Sequence, residues 1–220
     1  MQKIKAIIFD AYGTLFDVNS AAEQCKDKIG SKWKGFSDYW RITQLEYTWL
    51  RSIMGRHKDF WQITESSLDK SMKVFDIDVS MKEDLLNLYK VLSPFEEVFK
   101  TLKELKKKNY KLAILSNGTP SLLNELVKTN HLENYFNDIF SIEEVGIYKP
   151  DSKVYNLPVK KYNYEKKEIV FLSANTWDVS GAGNFGFKAI WVNRNNGIFD
   201  NLDYKPSYEI KNLSELLSLI

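Results

Sequence analysis

Four stretches of the chain are almost wholly apolar and rich in β-branched or aromatic side chains: Ile4 to Phe9, Tyr110 to Leu115, Glu168 to Leu172 and Lys188 to Val192. Runs without polar alternation read as strands covered on both faces, as in a parallel sheet. Helical patterns lie between them. Ser93-Pro94-Phe95-Glu96 predicts an N-cap, a proline at the first helical position and a capping-box acid, with Phe95, Val98, Phe99, Leu102 and Leu105 following at helix spacing. Thr119-Pro120 opens the next helix in the same way, and Leu122, Leu123, Leu126 and Val127 form its apolar face. Strands alternating with helices predict an α/β fold with a doubly wound parallel sheet.

Residues 17–92 break that rhythm. They lack strand patterns, hold four of the six tryptophans (Trp33, Trp40, Trp49 and Trp61) and repeat apolar positions every three or four residues: Phe36, Tyr39, Thr43, Tyr47, Leu50 and Met54. This segment reads as a helical subdomain inserted after the first strand, which leaves 1–16 and 93–220 as the core. Pro158, within the helix pattern after Asp151, predicts a kink or an early stop. Lys211 to Ile220 suggests a short final helix.

Composition narrows the function classes. A length of 220 residues suits one domain, or one domain carrying a large insertion, and 44% hydrophobic with 14% aromatic residues excludes disorder. The 31 basic residues nearly balance 29 acidic ones, and the longest basic run is Lys106-Lys107-Lys108, so no nucleic-acid partner is expected. No apolar stretch approaches the roughly 18 residues of a membrane span. The opening MQKIKAIIFD reads as a strand rather than a signal peptide, and a cytoplasmic protein is the default expectation. The single cysteine, Cys25, excludes an internal disulfide and a multi-cysteine zinc site. His57 and His131 stand in helix-end contexts and leave little room for histidine chemistry.

Ligands of a doubly wound sheet bind beyond the carboxyl ends of its strands. Asp10 follows the first strand, Ser116 and Asn117 the second, and Ser173 and Asn175 the third, while Lys149 lies in the loop Gly146 to Pro150 before a helix begun by Asp151. These residues are predicted to converge on one crevice, with the helical insertion as its lid. Arg41 shares a helix face with Leu45 and Trp49, and an arginine on an apolar stripe needs an anion if it is buried. With no histidine nearby, a carboxylate such as Asp178 is the natural base.

The segment Phe9-Asp10-Ala11-Tyr12-Gly13-Thr14-Leu15 resembles the first motif of the haloacid dehalogenase superfamily. Ser116-Asn117, Lys149-Pro150 and the stretch through Asp178 resemble the other three, in the right order over nearly the whole chain. The resemblance implies a Rossmann-like core with a helical cap. Most of that superfamily are magnesium-dependent phosphatases, which need a second aspartate two residues after the nucleophile and an acidic pair or Gly-Asp after a later strand. Here those places hold Tyr12 and Ser173-Ala174-Asn175-Thr176-Trp177-Asp178, a set poor in the hard anionic oxygens magnesium prefers. FDAYGTLFDV, WRITQLEYTWLRSIMGR, LSNGTP and YKPDSKVY are instead similar to the L-2-haloacid dehalogenase subfamily, apart from Ala174, where that subfamily often has serine.

The resemblance implies a metal-independent hydrolysis of (S)-2-haloacids to (R)-2-hydroxy acids, with no cofactor. Asp10 would displace halide from C2 and form an ester that water then opens. Substrate carboxylate and Asp10 would repel by about 4 kcal/mol at about 4 Å and an effective dielectric of about 20, so cations must answer. Lys149 would order Asp10, and Arg41 with Asn117 would take the halide. Ser116 and the backbone near Ala11 and Tyr12 would bind the substrate carboxylate. Thr14 would bond the Asp10 carboxylate, and Tyr155 would support the site. Ser173 and Asn175 would fix the water and ester carbonyl, and Asp178 would orient or deprotonate that water. Tyr12, Leu45, Phe60 and Trp177 would wall the carbon chain and halogen. Plainer readings stand beside these: a strand-end Asp10, a surface Lys149, a salt-bridged Arg41, a turn at Ser116-Asn117, helix caps at Thr14 and Asp178, and ordinary core for Tyr155 and the wall. A magnesium-dependent phosphatase and a non-catalytic binding protein are the rival functions. A homodimer is implied by the resemblance alone, with the aromatic-rich cap as available surface.

Overall fold

The computed structural model describes residues 3–19, 23–24 and 26–220. Cys25 lies outside the described residues. Six parallel strands form one sheet in the order β3-β2-β1-β4-β5-β6, where β1 is Ala6–Phe9, β2 Lys111–Ser116, β3 Asp138–Ser141, β4 Ile169–Ser173, β5 Lys188–Val192 and β6 Tyr208–Ile210. The fold is the expected doubly wound α/β arrangement. Every residue of β1 and β4 is buried, which is why both are apolar throughout. Two strands were not anticipated. β3 opens on Asp138 with two half-buried positions, and β6 is three residues with only Ile210 buried. Both are short edge strands, and a half-covered edge does not demand a continuous apolar run.

Register places the chemistry. Phe9 lies opposite Ile114 on β2 and Leu172 on β4, so the residues following these positions emerge at one end of the sheet. The Asp10 N–H still donates to the Leu172 carbonyl at 2.9 Å, which carries the sheet alignment into the site.

Between β1 and β2 the described chain is helical: a short turn at Lys26–Ile29, then α1 (Trp33–Ile53), α2 (Phe60–Phe75), α3 (Lys82–Lys90) and α4 (Val98–Lys107). The chain leaves and re-enters the sheet layer at adjacent points, since Asp17 N–H donates to Ser93 O and Phe95 N–H to Leu15 O. This overturns the expected cap at Ser93. Pro94 bridges to Phe16, and α4 begins only at Val98, because the Ser93–Phe95 backbone is committed to the Leu15–Asp17 segment. Phe99 is 49% exposed rather than part of the buried face.

The buried face of α1 is also rotated from the expected stripe. It consists of Phe36, Ser37, Trp40, Thr43, Gln44 and Thr48, while Leu50 and Met54 are exposed. The opposing α2 buries Thr64, Ser67 and Ser71. Hydroxyls here bond carbonyls of their own helix (Thr48 to Leu45 O, Ser67 to Thr64 O, Ser71 to Ser67 O), so small polar residues enter the interface with their donors satisfied.

On the core side, α5 (Pro120–Thr129) starts as expected, with Thr119 Oγ1 accepting the Leu122 N–H. Helix α6 (Ser152–Tyr162) is capped by Asp151 and runs through Pro158, so the early stop does not occur. Pro158 is buried there, and the helix ends at Asn163 in the left-handed region. Helix α7 is Thr176–Phe185, and the tail closes in a 3-10 helix, Leu213–Ser218. No helix among the described residues is long and apolar enough to cross a membrane.

Candidate active site

Asp10 is 5% exposed, and four side chains converge on its carboxylate. Oδ2 accepts from Thr14 Oγ1 at 3.0 Å, Asn175 Nδ2 at 3.0 Å and Ser173 Oγ at 3.3 Å. Oδ1 accepts from Lys149 Nζ at 3.0 Å. The same ammonium donates to Asp178 Oδ2 at 2.9 Å, and Asp178 Oδ1 accepts from the Tyr155 hydroxyl at 2.7 Å. Asp10, Thr14, Lys149, Tyr155, Ser173, Asn175 and Asp178 thus form one network from three separate stretches of chain, buried but for the half-buried Asn175.

Local structure explains each placement. After β1 the Ala11 carbonyl accepts the N–H groups of Thr14, Leu15 and Phe16, a tight turn that brings Thr14 back over Asp10. The Thr14 hydroxyl also accepts the Ala174 N–H at 2.9 Å, tying this turn to the end of β4. Thr14 is therefore not a helix cap. Asn175 takes the N-cap position of α7, which places Asp178 in the first turn of the helix, fully buried and not its cap. Asn117 Oδ1 accepts the Lys149 N–H at 3.1 Å, so the end of β2 holds the lysine loop. The Lys149 side chain is wholly buried and lies over the Phe171 ring.

Burial sets the electrostatics. Desolvation pulls the Lys149 ammonium towards losing its proton, but Asp10 and Asp178 overcome it and raise its pKa above the ordinary lysine value. Asp178 is pushed up to about 6, chiefly by burial; the neighbouring Lys149 opposes the rise and the Asp10 charge adds to it. Burial and the adjacent Asp178 raise the Tyr155 phenol well above its usual range, so it stays a donor. Two carboxylates facing one ammonium leave the cluster short of positive charge.

The remaining candidates sit around this network. Ser116 is buried at the end of β2, but its Oγ accepts the Gly118 N–H and makes no bond to Asp10. Tyr12 is buried, its ring 5.3 Å from Phe60 and 5.7 Å from Tyr89. Burial raises the Tyr12 phenol and the Arg41 charge lowers it, which brings Arg41 within electrostatic reach of the pocket wall. Arg41 is half-buried and donates to Gln44 Oε1 at 2.8 Å. Ala11 is buried, Leu45 is half-buried on α1, and Trp177 packs edge-on against Trp49 at 5.4 Å. A cavity of about 620 Å³ reaches this region, with Tyr12, Arg41, Asn175 and Arg194 in its lining.

Sequence reasoning missed three contributors. Gln44 and Tyr89 contact Arg41 and Tyr12, and Gln44 was within reach of a reading that paired Arg41 with position i+3. Arg194 follows β5, donates to the Thr14 carbonyl at 2.8 Å and pairs with Glu97 at 2.7 Å, holding the Asp10 turn from outside. Tyr89 and Arg194 carry no local signal, because their partners come from distant parts of the chain.

The donor set does not suit a divalent cation. Both oxygens of Asp10 already accept from an ammonium, two hydroxyls and an amide N–H₂, and Asp178 accepts from Lys149 and Tyr155. The Asn175 carboxamide nitrogen, its lone pair delocalised into the carbonyl, and the Lys149 ammonium have no lone pair to offer a metal. Among the described residues no group of three or more His, Cys, Asp or Glu is arranged to hold an ion.

The family model for haloacid dehalogenase-like hydrolase matches residues 4–186. An (S)-2-haloacid dehalogenase of Pseudomonas fluorescens is 39% identical over 98% of this chain and 96% of its own. One from Pseudomonas sp. strain YL is 39% identical over 100% of this chain and 95% of its own. Among solved structures, a dehalogenase superposes with a TM-score of 0.97 at 34% identity, covering 100% of this chain and 98% of the other. The Xanthobacter autotrophicus L-2-haloacid dehalogenase with chloropropionic acid covalently bound superposes at 0.91 with 32% identity, covering 98% of each chain.

Proposed function

The chain belongs to the haloacid dehalogenase-like hydrolases, and from that premise we propose that it is an (S)-2-haloacid dehalogenase working without a metal through an ester on Asp10. One observation carries the reading: Asp10 is buried with every carboxylate oxygen occupied by hydrogen-bond donors, and Tyr12 stands where a phosphatase needs its second aspartate.

The chemistry divides between the two oxygens. Oδ1, beside Lys149, attacks C2 of the haloacid from the side opposite the halogen. The C2–halogen bond breaks as the C2–oxygen bond forms, and halide leaves towards Arg41 and Asn117. Configuration at C2 inverts. Oδ2 becomes the ester carbonyl oxygen, already held by Thr14, Ser173 and Asn175. Those three donors then hold the oxyanion when water attacks the carbonyl carbon. Asp178, raised to about 6, takes the proton of that water; the Cγ–Oδ1 bond then breaks, the leaving alkoxide takes the proton back from Asp178, and the 2-hydroxy acid departs from a restored Asp10 carboxylate. Lys149 remains charged throughout and offsets Asp10 and Asp178 in turn. Ser116, with backbone groups near Ala11 and Tyr12, receives the substrate carboxylate, and Tyr12, Leu45, Phe60 and Trp177 enclose the alkyl chain and halogen.

Residues 17–92 act as a cap over a core of 1–16 and 93–220, a division supported by the adjacent crossings at Asp17–Ser93 and Leu15–Phe95. A cytoplasmic homodimer belongs to the same proposal. The exposed apolar residues Leu50, Ile53 and Met54 at the end of α1 support the dimer, and one cysteine in 220 residues suits a reducing compartment.

A single turnover in H₂¹⁸O with enzyme in excess tests the ester. The expected 2-hydroxy acid carries no ¹⁸O, because its new oxygen is from Asp10, and the label appears in the Asp10 peptide. Label in the first-turnover product would mean that water attacks C2 directly and would sink the proposal.

A further inference from the structure

We propose that Gln44 is the positioning residue for Arg41, holding the guanidinium over the pocket through a one-way chain of hydrogen bonds while leaving its charge free for the departing halide. The proposal rests on the reading of Arg41 as the halide acceptor. Gln44 is 1% exposed, at the α1–α2 interface. Arg41 Nη1 donates to Gln44 Oε1 at 2.8 Å. A guanidinium can only donate, so the carbonyl end of the amide must face Arg41. The amide N–H₂ is thereby turned the other way, where Nε2 donates to Thr64 Oγ1 at 2.7 Å and lies 3.1 Å from the Tyr89 hydroxyl. Thr64, having accepted, donates its own O–H to the Phe60 carbonyl at 2.7 Å. The Tyr89 hydroxyl also lies 3.3 Å from Gln44 Oε1.

The chain ends on the walls of the pocket. Phe60 and Tyr89 are the two rings that contact Tyr12. Gln44 therefore couples the orientation of Arg41 to the residues that pack Tyr12, next to Asp10. A simple packing role would be met by a methionine or leucine, without burying an amide that must be satisfied on both ends. A glutamate would bind Arg41 more strongly, but as an internal ion pair that cancels the charge offered to an anion. A neutral acceptor fixes the guanidinium without that loss. The network around Asp10 has more negative than positive charge and the substrate brings another carboxylate, so the charge on Arg41 must remain available.

The test uses the whole protein and compares Q44E, Q44M and R41A with the parent. It measures kcat and KM for (S)-2-chloro- and (S)-2-bromopropionate, inhibition by added bromide, and the thermal midpoint. Q44E keeps the shape of the side chain and should stay folded near the parent midpoint. Its kcat for the chloro acid should fall about 10-fold to 100-fold, the range of a charge-assisted hydrogen bond. The fall should be smaller for the bromo acid, whose leaving group needs less help, and bromide inhibition should weaken. Q44M should lose kcat in the same direction, and if it does not fold, Q44E decides. Added to R41A, Q44E should cost nothing further, since both act through one guanidinium. R41A inactive beside Q44E with unchanged kcat, KM and bromide inhibition would overturn the Gln44 proposal alone. R41A with undiminished turnover would overturn the halide role of Arg41 and this proposal with it.

Discussion

Asp178 lies under two opposing influences: burial and the Asp10 charge favour its protonated form, and the Lys149 ammonium favours the carboxylate. Burial prevails, so it titrates near pH 6 rather than near 3.8. As the base for ester hydrolysis it must be ionised. Esterified Asp10 carries no charge and no longer raises Asp178, so the ester should accumulate as pH falls below about 6, which rapid acid quench and mass measurement would detect as an Asp10 adduct. D178N should hold that adduct at every pH, whereas an adduct-free D178N with normal turnover would remove Asp178 from the mechanism. The stability sign is opposite to that of an ordinary salt-bridged acid. The native state keeps this proton up to about pH 6 and the unfolded chain releases it near 3.8, so the Asp178 contribution is most favourable below that window and declines as pH rises through it. Asp10, Lys149 and Asp178 were legible in the sequence because strand ends and motif spacing mark them. Tyr89 and Arg194 were not, because what defines them is a partner 45 to 180 residues away, as in Tyr89 with Gln44 and Arg194 with Thr14, and Gln44, three residues from Arg41, takes its orientation also from Thr64, 20 residues on.

The contact between α6 and α7 depends on the absence of a side chain. A Cβ at Gly181 would lie 2.5 Å from Pro150 Cβ and 2.7 Å from the Tyr155 hydroxyl. Glycine normally weakens a helix, yet here it lets Tyr155 reach Asp178. G181A should raise intrinsic helix propensity and still destabilise the protein by about 1–3 kcal/mol through overpacking, measured by urea unfolding. It should also lower kcat by displacing Tyr155. A G181A variant as stable and active as the parent would contradict the packing described. The interior strands and the Thr119 cap were readable at this scale, because full burial and capping leave local patterns. The edge strands β3 and β6 were not, being short and half covered. The α4 start was misread because the backbone at Ser93–Phe95 bonds Leu15 and Asp17 instead of opening a helix. The buried face of α1 was misread because hydroxyls satisfied within their own helices pack as readily as apolar groups.

Over the whole molecule, the ends of β1, β2 and β4 lie together in register at one end of the parallel sheet, where Asp10 and Asp178 follow β1 and β4 and the Lys149 loop is held by Asn117 at the end of β2. Helix α1 supplies Arg41 from the opposite side. On the proposed reading a site so divided is short of positive charge within the core and is completed by the helical segment, which suits an anionic substrate enclosed between the two. Alternation of strands and helices, and the helical character of the described residues between β1 and β2, were readable from periodicity. How α1 faces the sheet was not, since that depends on packing across the two layers. The central claim is that the Asp10 carboxylate alone, with no metal, displaces halide from one enantiomer. It is tested most directly by chloride release from (S)- and (R)-2-chloropropionate in excess EDTA, beside a D10N variant. The account predicts chloride from the (S) acid only, undiminished by the chelator and absent in D10N. Chloride from an active D10N, or no chloride but magnesium-dependent phosphate release from a small phosphomonoester, would contradict it.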